Sequence, residues 1–165
     1  EKLCKGTNWP NGLMVLGLCD SLQGDLEGGL QHFREAVERS SEKVYATCLA
    51  ESLLWLGRRD EARAACPDGD DQYTLMIRAS LAQSPEECLR LCDLVEAAGP
   101  GQYFELNEAR GHAYYSLGRL AEARECLLRF VEARPDNSML DLYLERIDRA
   151  RHVLAILPSP ENTRV

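Results

Sequence analysis

Three sets of residues in this chain are of types that carry chemistry: its cysteines, its histidines and the acidic run Asp68, Asp70 and Asp71 in "PDGDD". Catalysis needs a nucleophile, a base and a charge-stabilising group that converge on one point. His32, His112 and His152 fall on three separate helical segments, and no GxSxG, HExxH, P-loop or dinucleotide-binding glycine pattern occurs. The acidic run lacks the ligand spacing and terminal Glu of a calcium-binding loop, so it reads as a solvated loop. Glu108 and His112 lie four apart on one helix face, the geometry of an ordinary surface pair. The 7 cysteines are odd in number and show no CxxC or Cys/His zinc spacing. Most sit inside apolar helical patterns, as thiols packed like small hydrophobes in a reducing compartment do. Cys88 and Cys92 share a helix face, yet no His or further Cys completes a soft-metal site beside them. Cys4 falls in an irregular N-terminal segment. The expectation is a protein that is not an enzyme and holds no metal or cofactor.

Such residues would have to be positioned by helices. The chain has 165 residues, enough for about one domain with a sizeable core, and 45% of them are apolar. Acidic residues number 27 against 19 basic, a net charge of −8. That balance repels phosphate backbones and anionic lipid, which argues against nucleic-acid and membrane-surface roles. No apolar run approaches the roughly 18 to 20 residues that span a bilayer. The N-terminal "EKLCKGTNWP" has no signal-peptide pattern, and the expected compartment is the cytoplasm.

The helical segments repeat. "RGHAYYSLGRLAEAREC" places Gly111, Gly118 and Ala123 at fixed offsets. Gly17, Gly24 and Gly29 stand at the same offsets upstream, as do Ala50, Gly57 and Ala62, and, more loosely, Met76, Gln83 and Cys88. Each copy reads as a helix, a short turn and a second helix that begins with acidic residues. Steps from Gly17 to Ala50 and from Met76 to Gly111 are 33 and 35 residues, whereas Ala50 to Met76 is only 26. The short step has a visible cause. Pro67 and Gly69 stand where the second helix would continue, so it is expected to run only from about Arg59 to Cys66. In "QSPEEC", Ser84 caps a helix, Pro85 suits its first position and Glu87 completes a capping box. Pro100 and Pro135 are expected to end second helices. Gly111, paired with Ala123, is expected to let two antiparallel helices approach closely, and Gly118 to form the turn.

With this period of about 34 residues the chain resembles the tetratricopeptide repeat family. The last copy matches that pattern at Gly111, Tyr114, Gly118, Ala123 and Pro135. It departs at Asn107 and Arg110, where large apolar residues are usual, and Leu127 replaces Phe. The first copy matches at Leu16, Gly17, Gly24 and Phe33, the second at Leu49, Ala50, Gly57 and Ala62, and the third at Leu75 and Pro100. The resemblance implies an all-α helix–turn–helix repeat solenoid of about four units: residues 10–42, 43–68, 69–103 and 104–137. An irregular segment, 1–9, would precede them. A capping helix over 138–157 and a tail over 158–165 would follow. Leu140, Tyr143, Leu144, Ile147, Ala150, Leu154 and Leu157 recur at helical spacing in the cap, which would cover the apolar end of the stack.

The resemblance also implies a scaffold that binds a peptide or protein in a concave groove lined by the first helix of each pair. Met14, Leu18, Leu22, Leu54, Trp55, Tyr73, Ile77 and Leu81 would form its apolar part. Glu51, Glu105, Glu108, His112 and Tyr115 would form a polar, largely acidic part. One subclass of the family clamps a C-terminal carboxylate with Lys and Asn at such positions. Here Met14, Leu18, Thr47, Glu51, Tyr73, Ile77, Glu108 and His112 stand there instead, and none is Lys, Arg or Asn, which argues against that subclass. The division of the groove into apolar and acidic parts instead suits an amphipathic helix or extended peptide with an apolar face and basic residues. The alternatives are a small-molecule or ion carrier, and a self-assembling adaptor joined through the N-terminal edge near Trp9 to Leu30.

Overall fold

The computed structural model describes residues 9–99, 104–133 and 140–158. Among them are nine helices and no strand: α1 (Pro10–Leu22), α2 (Leu26–Arg39), α3 (Lys43–Trp55), α4 (Arg59–Ala65), α5 (Gln72–Leu81), α6 (Pro85–Ala97), α7 (Phe104–Ser116), α8 (Leu120–Glu132) and α9 (Leu140–Ile156). They form two compact units, residues up to Ile77 and residues from Arg78 on, with the boundary inside α5. Pro100, Pro135, Cys4, the segment before Trp9 and the tail after Pro158 lie outside the described residues.

Three of the turns are built alike. Gly24, Gly57 and Gly118 take φ values of 87°, 72° and 71°, a region where a side chain is strained. Each glycine N–H donates to the carbonyl three residues back: Ser21, Leu54 and Tyr115. The next N–H reaches five residues back, from Asp25 to Asp20, Arg58 to Leu53 and Arg119 to Tyr114, each at 2.9 Å. This double closure satisfies the carbonyls left open at the end of the first helix. The residue after the glycine starts the second helix. Asp25 does so by accepting the Gly28 N–H at 2.9 Å. Arg58 and Arg119 have no acceptor to offer, and instead bind Glu61 and Glu122 three residues on. The α5–α6 turn has no glycine. Ser84 accepts the Glu87 N–H at 3.2 Å, Pro85 opens α6, and the Glu87 carboxylate reaches back to the Gln83 N–H.

Helix pairs are set by what faces the small residue of the first helix. A Cβ on Gly17 would lie 2.9 Å from the Phe33 ring and 3.0 Å from the Gly29 carbonyl oxygen. A Cβ on Gly111 would lie 2.6 Å from Cγ and Cδ2 of Leu127. The close contact of α7 is therefore with Leu127, one turn beyond the expected Ala123, and Leu127 occupies the register that Phe33 holds in α2. Ala123 is itself fully buried.

In the first unit Leu13, Ala36 and Tyr45 form one core cluster, lined by Met14 and Val37. The shortened helix before Pro67 is α4, which spans 7 residues and ends one residue earlier than expected. In the second unit Ala123, Leu127 and Phe130 of α8 pack with Ile147 and Ala150 of α9 and with Leu157. Thus α9 lays its apolar stripe on α8. Cys48, Cys88 and Cys92 are buried, as small hydrophobes are, whereas Cys19 is exposed. Cys19 lies on the side of α1 opposite Leu13, Gly17 and Ser21, which are the residues α1 buries.

Two kinds of glycine give two kinds of variant. Gly118→Ala should cost about 1–2 kcal/mol through backbone strain alone, because nothing lies within 4 Å of the added Cβ. Gly111→Ala should cost about 1–3 kcal/mol through overpacking. In a Leu127→Ala background the Gly111→Ala cost should largely vanish, while the Gly118→Ala cost should persist. Chemical denaturation of the four-member cycle reads this, and an undiminished Gly111→Ala cost in that background would refute the packing account.

Candidate partner-binding surface

The groove positions of the first unit come from α1, α3 and α5. Leu18 and Leu22 of α1 are 38% and 50% exposed, and Met14 is half-buried against the Leu13–Ala36–Tyr45 core. On α3, Glu51, Leu54 and Trp55 are half-buried. The Tyr73 hydroxyl donates to Glu51 Oε2 at 2.6 Å and lies 3.9 Å from Cys48 Sγ. Burial, with the Glu51 charge beside it, pushes the Tyr73 phenol far above its ordinary value of 10.0, so it stays a donor. Beneath this pair the Thr47 hydroxyl donates to the Lys43 carbonyl at 3.0 Å and meets the Thr74 hydroxyl at 3.1 Å. With Thr47's proton committed, Thr74 is the donor between them. Ile77 is buried, which makes it a packing residue here and not an open anchor.

The second unit treats its groove positions differently. Leu81 is buried, and Glu108 is 9% exposed. The Glu108 carboxylate is bound by the Arg146 guanidinium of α9, with Nε at 2.7 Å. Its charge is therefore neutralised within the unit. His112, one turn along α7, is half-buried. Burial lowers its pKa below 6.5, Glu108 opposes that shift, and Arg149 and Arg146 add to it. Tyr115 is 38% exposed, and Glu105 is half-buried.

Several residues that hold these positions carry no sequence signal that pattern reasoning would rank. Arg110 interrupts an apolar position of α7, and its guanidinium reaches Asp93 at 2.7 Å and also Glu96, both on α6. Asp71, read as part of a solvated loop, accepts the Thr74 N–H at 2.9 Å at the start of α5. Burial raises its pKa, but the Thr74 hydrogen bonds outweigh that and hold it below 3.8. A capping motif, Asp three residues before the N–H it accepts, would have marked Asp71. Arg110 and Arg146 each needed knowledge of the helix opposite. Among the described residues no group of three or more His, Cys, Asp or Glu could hold a metal ion, and no helix is long and apolar enough to cross a membrane.

With α7, its Gly118 turn and α8 laid out, the family comparison falls on that hairpin: the tetratricopeptide repeat family model matches residues 104–137. Within the chain, that hairpin resembles a tetratricopeptide repeat. Its fold is similar to the crystal structure of a thermophilic TPR protein from Thermus thermophilus, with a TM-score of 0.60 and 21% identity over 88% of each chain. No curated protein matches it. Repeat scaffolds of this kind typically mediate protein–protein interaction and are usually non-catalytic.

His112 makes the second unit sensitive to mild acid. Its folded pKa lies below the ordinary value of 6.5, so the unfolded chain binds a proton more readily. The stability it contributes is complete above pH 6.5 and is lost as pH falls from there through the lowered folded value. The thermal midpoint should drop between pH 7.5 and 5.5, and His112→Gln should remove part of that drop. An identical pH profile in the variant would assign the effect elsewhere. The threonine pair gives a second check. Thr47→Val and Thr74→Val should each cost about 1–3 kcal/mol, and the double variant less than their sum, as denaturation curves would read.

Proposed function

We propose that this repeat protein is a non-catalytic cytoplasmic scaffold that binds an amphipathic helix or extended peptide along its first helices. The observation that supports this reading best is the open apolar surface of α1, where Leu18 and Leu22 stand 38% and 50% exposed at groove positions. Water-exposed leucines in adjacent turns gain about 1.5–3 kcal/mol each when a partner covers them. In this reading Met14 and Trp55, both half-buried, would extend the same surface. Glu51, held by the Tyr73 hydroxyl, and Leu54 border it. Ile77, Leu81 and Glu108 act by holding helices in place, and His112 and Tyr115 are secondary positions in the other unit. The ligand is apolar on the face it presents, and the net charge of −8 steers partners that also carry basic residues.

Selection of ligands from a peptide library on the immobilised chain, followed by calorimetry on the selected peptides, tests the proposal. Leu18→Glu combined with Trp55→Ala should weaken binding at least about tenfold, the equivalent of one leucine's burial. Circular dichroism should show an unchanged fold. Full binding by the folded double variant would place the ligand elsewhere.

A further inference from the structure

Helix α9 is held to the second unit in two ways. Its apolar side, with Ile147 and Ala150, packs on Ala123, Leu127 and Phe130 of α8. Its polar hold is on α7, where the Arg146 guanidinium binds the Glu108 carboxylate, with Nε at 2.7 Å. The polar hold carries an imbalance of charge. Arg149 follows Arg146 by three residues and His112 follows Glu108 by four, so each pair shares a helix face. One turn from the Glu108–Arg146 bond, α7 therefore offers an imidazole and α9 a second guanidinium. Arg146 and Arg149 both oppose a proton on His112, and Glu108 favours one. That carboxylate already serves Arg146.

Carboxylates of the flanking helices are engaged as well. Arg110 binds Asp93 and Glu96 of α6, while Arg119 and Arg129 bind Glu122 and Glu125 of α8. A proton on His112 would thus add a third positive charge to a junction built on one negative charge. It would do so at a half-buried site, where less water is at hand to solvate the imidazolium. Opening the junction relieves both penalties. Helix α9 is the element free to move, because α7 packs against both α6 and α8, whereas α9 packs mainly on α8.

We propose that His112 is an acid-operated latch: when protonated it releases α9 from α7 and α8, while the helices beneath stay folded. Release would uncover Leu127 and Phe130 and part Glu108 from Arg146. One helix then opens ahead of the rest, which a general loss of stability in acid would not produce. Hydrogen exchange of the full chain at pH 7.5 and 5.5 tests this, with rates expressed as protection factors so that the intrinsic effect of pH is removed. Protection of the α9 amides should fall about three- to tenfold, the upper limit being set by a pH one unit below the ordinary histidine value of 6.5. Protection of α6 and α8 should hold. In His112→Gln the fall at α9 should disappear. Arg149→Glu, a change at an exposed position, should shrink it, because the imidazolium then meets an anion. Equal protection of α9 at both pH values, a fall shared equally by α6 and α8, or a fall undiminished in either variant would each overturn the proposal.

Discussion

Each hairpin in this chain depends on where its first helix stops. At Gly24, Gly57 and Gly118 the backbone turns left-handed, and the following N–H reaches five residues back. That bond fixes the first residue of the second helix, and so the phase of everything beyond it. With the phase set, the residue seven before the turn glycine faces the second helix at Gly17 and Gly111, and the counterpart Ala50 is fully buried. A slip of one residue at the turn would rotate the second helix by about 100° and drive its polar face inward. The caps reinforce this stop in two ways: Asp25 and Ser84 accept backbone N–H groups, while Arg58 and Arg119 clasp a glutamate one turn into the helix.

Phase alone does not say what each helix face does, and the two units satisfy their inward polar groups with different partners. In the first unit polar groups lie inside: Thr47 with Thr74, and Tyr73 with Glu51. Such pairs are nearly neutral in energy when satisfied and costly when broken, so they specify the packing of α3 and α5 more than they strengthen it. The apolar side chains Leu18 and Leu22 are left outside. In the second unit Glu108 is taken inside by Arg146, and the core is apolar from Ala123 to Leu157. Exposed hydrophobic surface at α1 and neutralised acid at α7 therefore reflect where each unit put its polar groups.

The repeat, its turns, the stunted α4 and the Ser84 cap were legible in the sequence because each depends on neighbours within about seven residues. Pro67 stops a helix whatever surrounds it, and Gly118 takes its φ for local reasons. The candidate surface was less legible, since exposure is decided by the helix opposite. Ile77 and Leu54 have the same side-chain character and both fall on first-helix faces, but one is buried and the other half-open. Arg110 looked like a departure from the repeat pattern until α6 placed Asp93 and Glu96 across from it. The close contact of Gly111 falls on Leu127, in the Phe33 register, for a similar reason: it is set by the helix opposite.

The thiols have a consequence as a set. Cys19 is open to solvent, Cys66 and Cys126 are half-covered, and Cys48, Cys88 and Cys92 are buried. Burial also raises the pKa of Cys48 and Cys126, while Cys92 is raised first by its hydrogen bond with Cys88 and then by burial. Thiolates are the reactive form, so at Cys48, Cys92 and Cys126 the raised pKa adds to whatever protection burial gives. Alkylating reagents would consume them as a clock, with Cys19 at once and the interior thiols only when their helices part. Cys48 would time the opening of the first unit, and Cys88 and Cys92 that of the second, so the native sequence already carries separate labels for the breathing of each half.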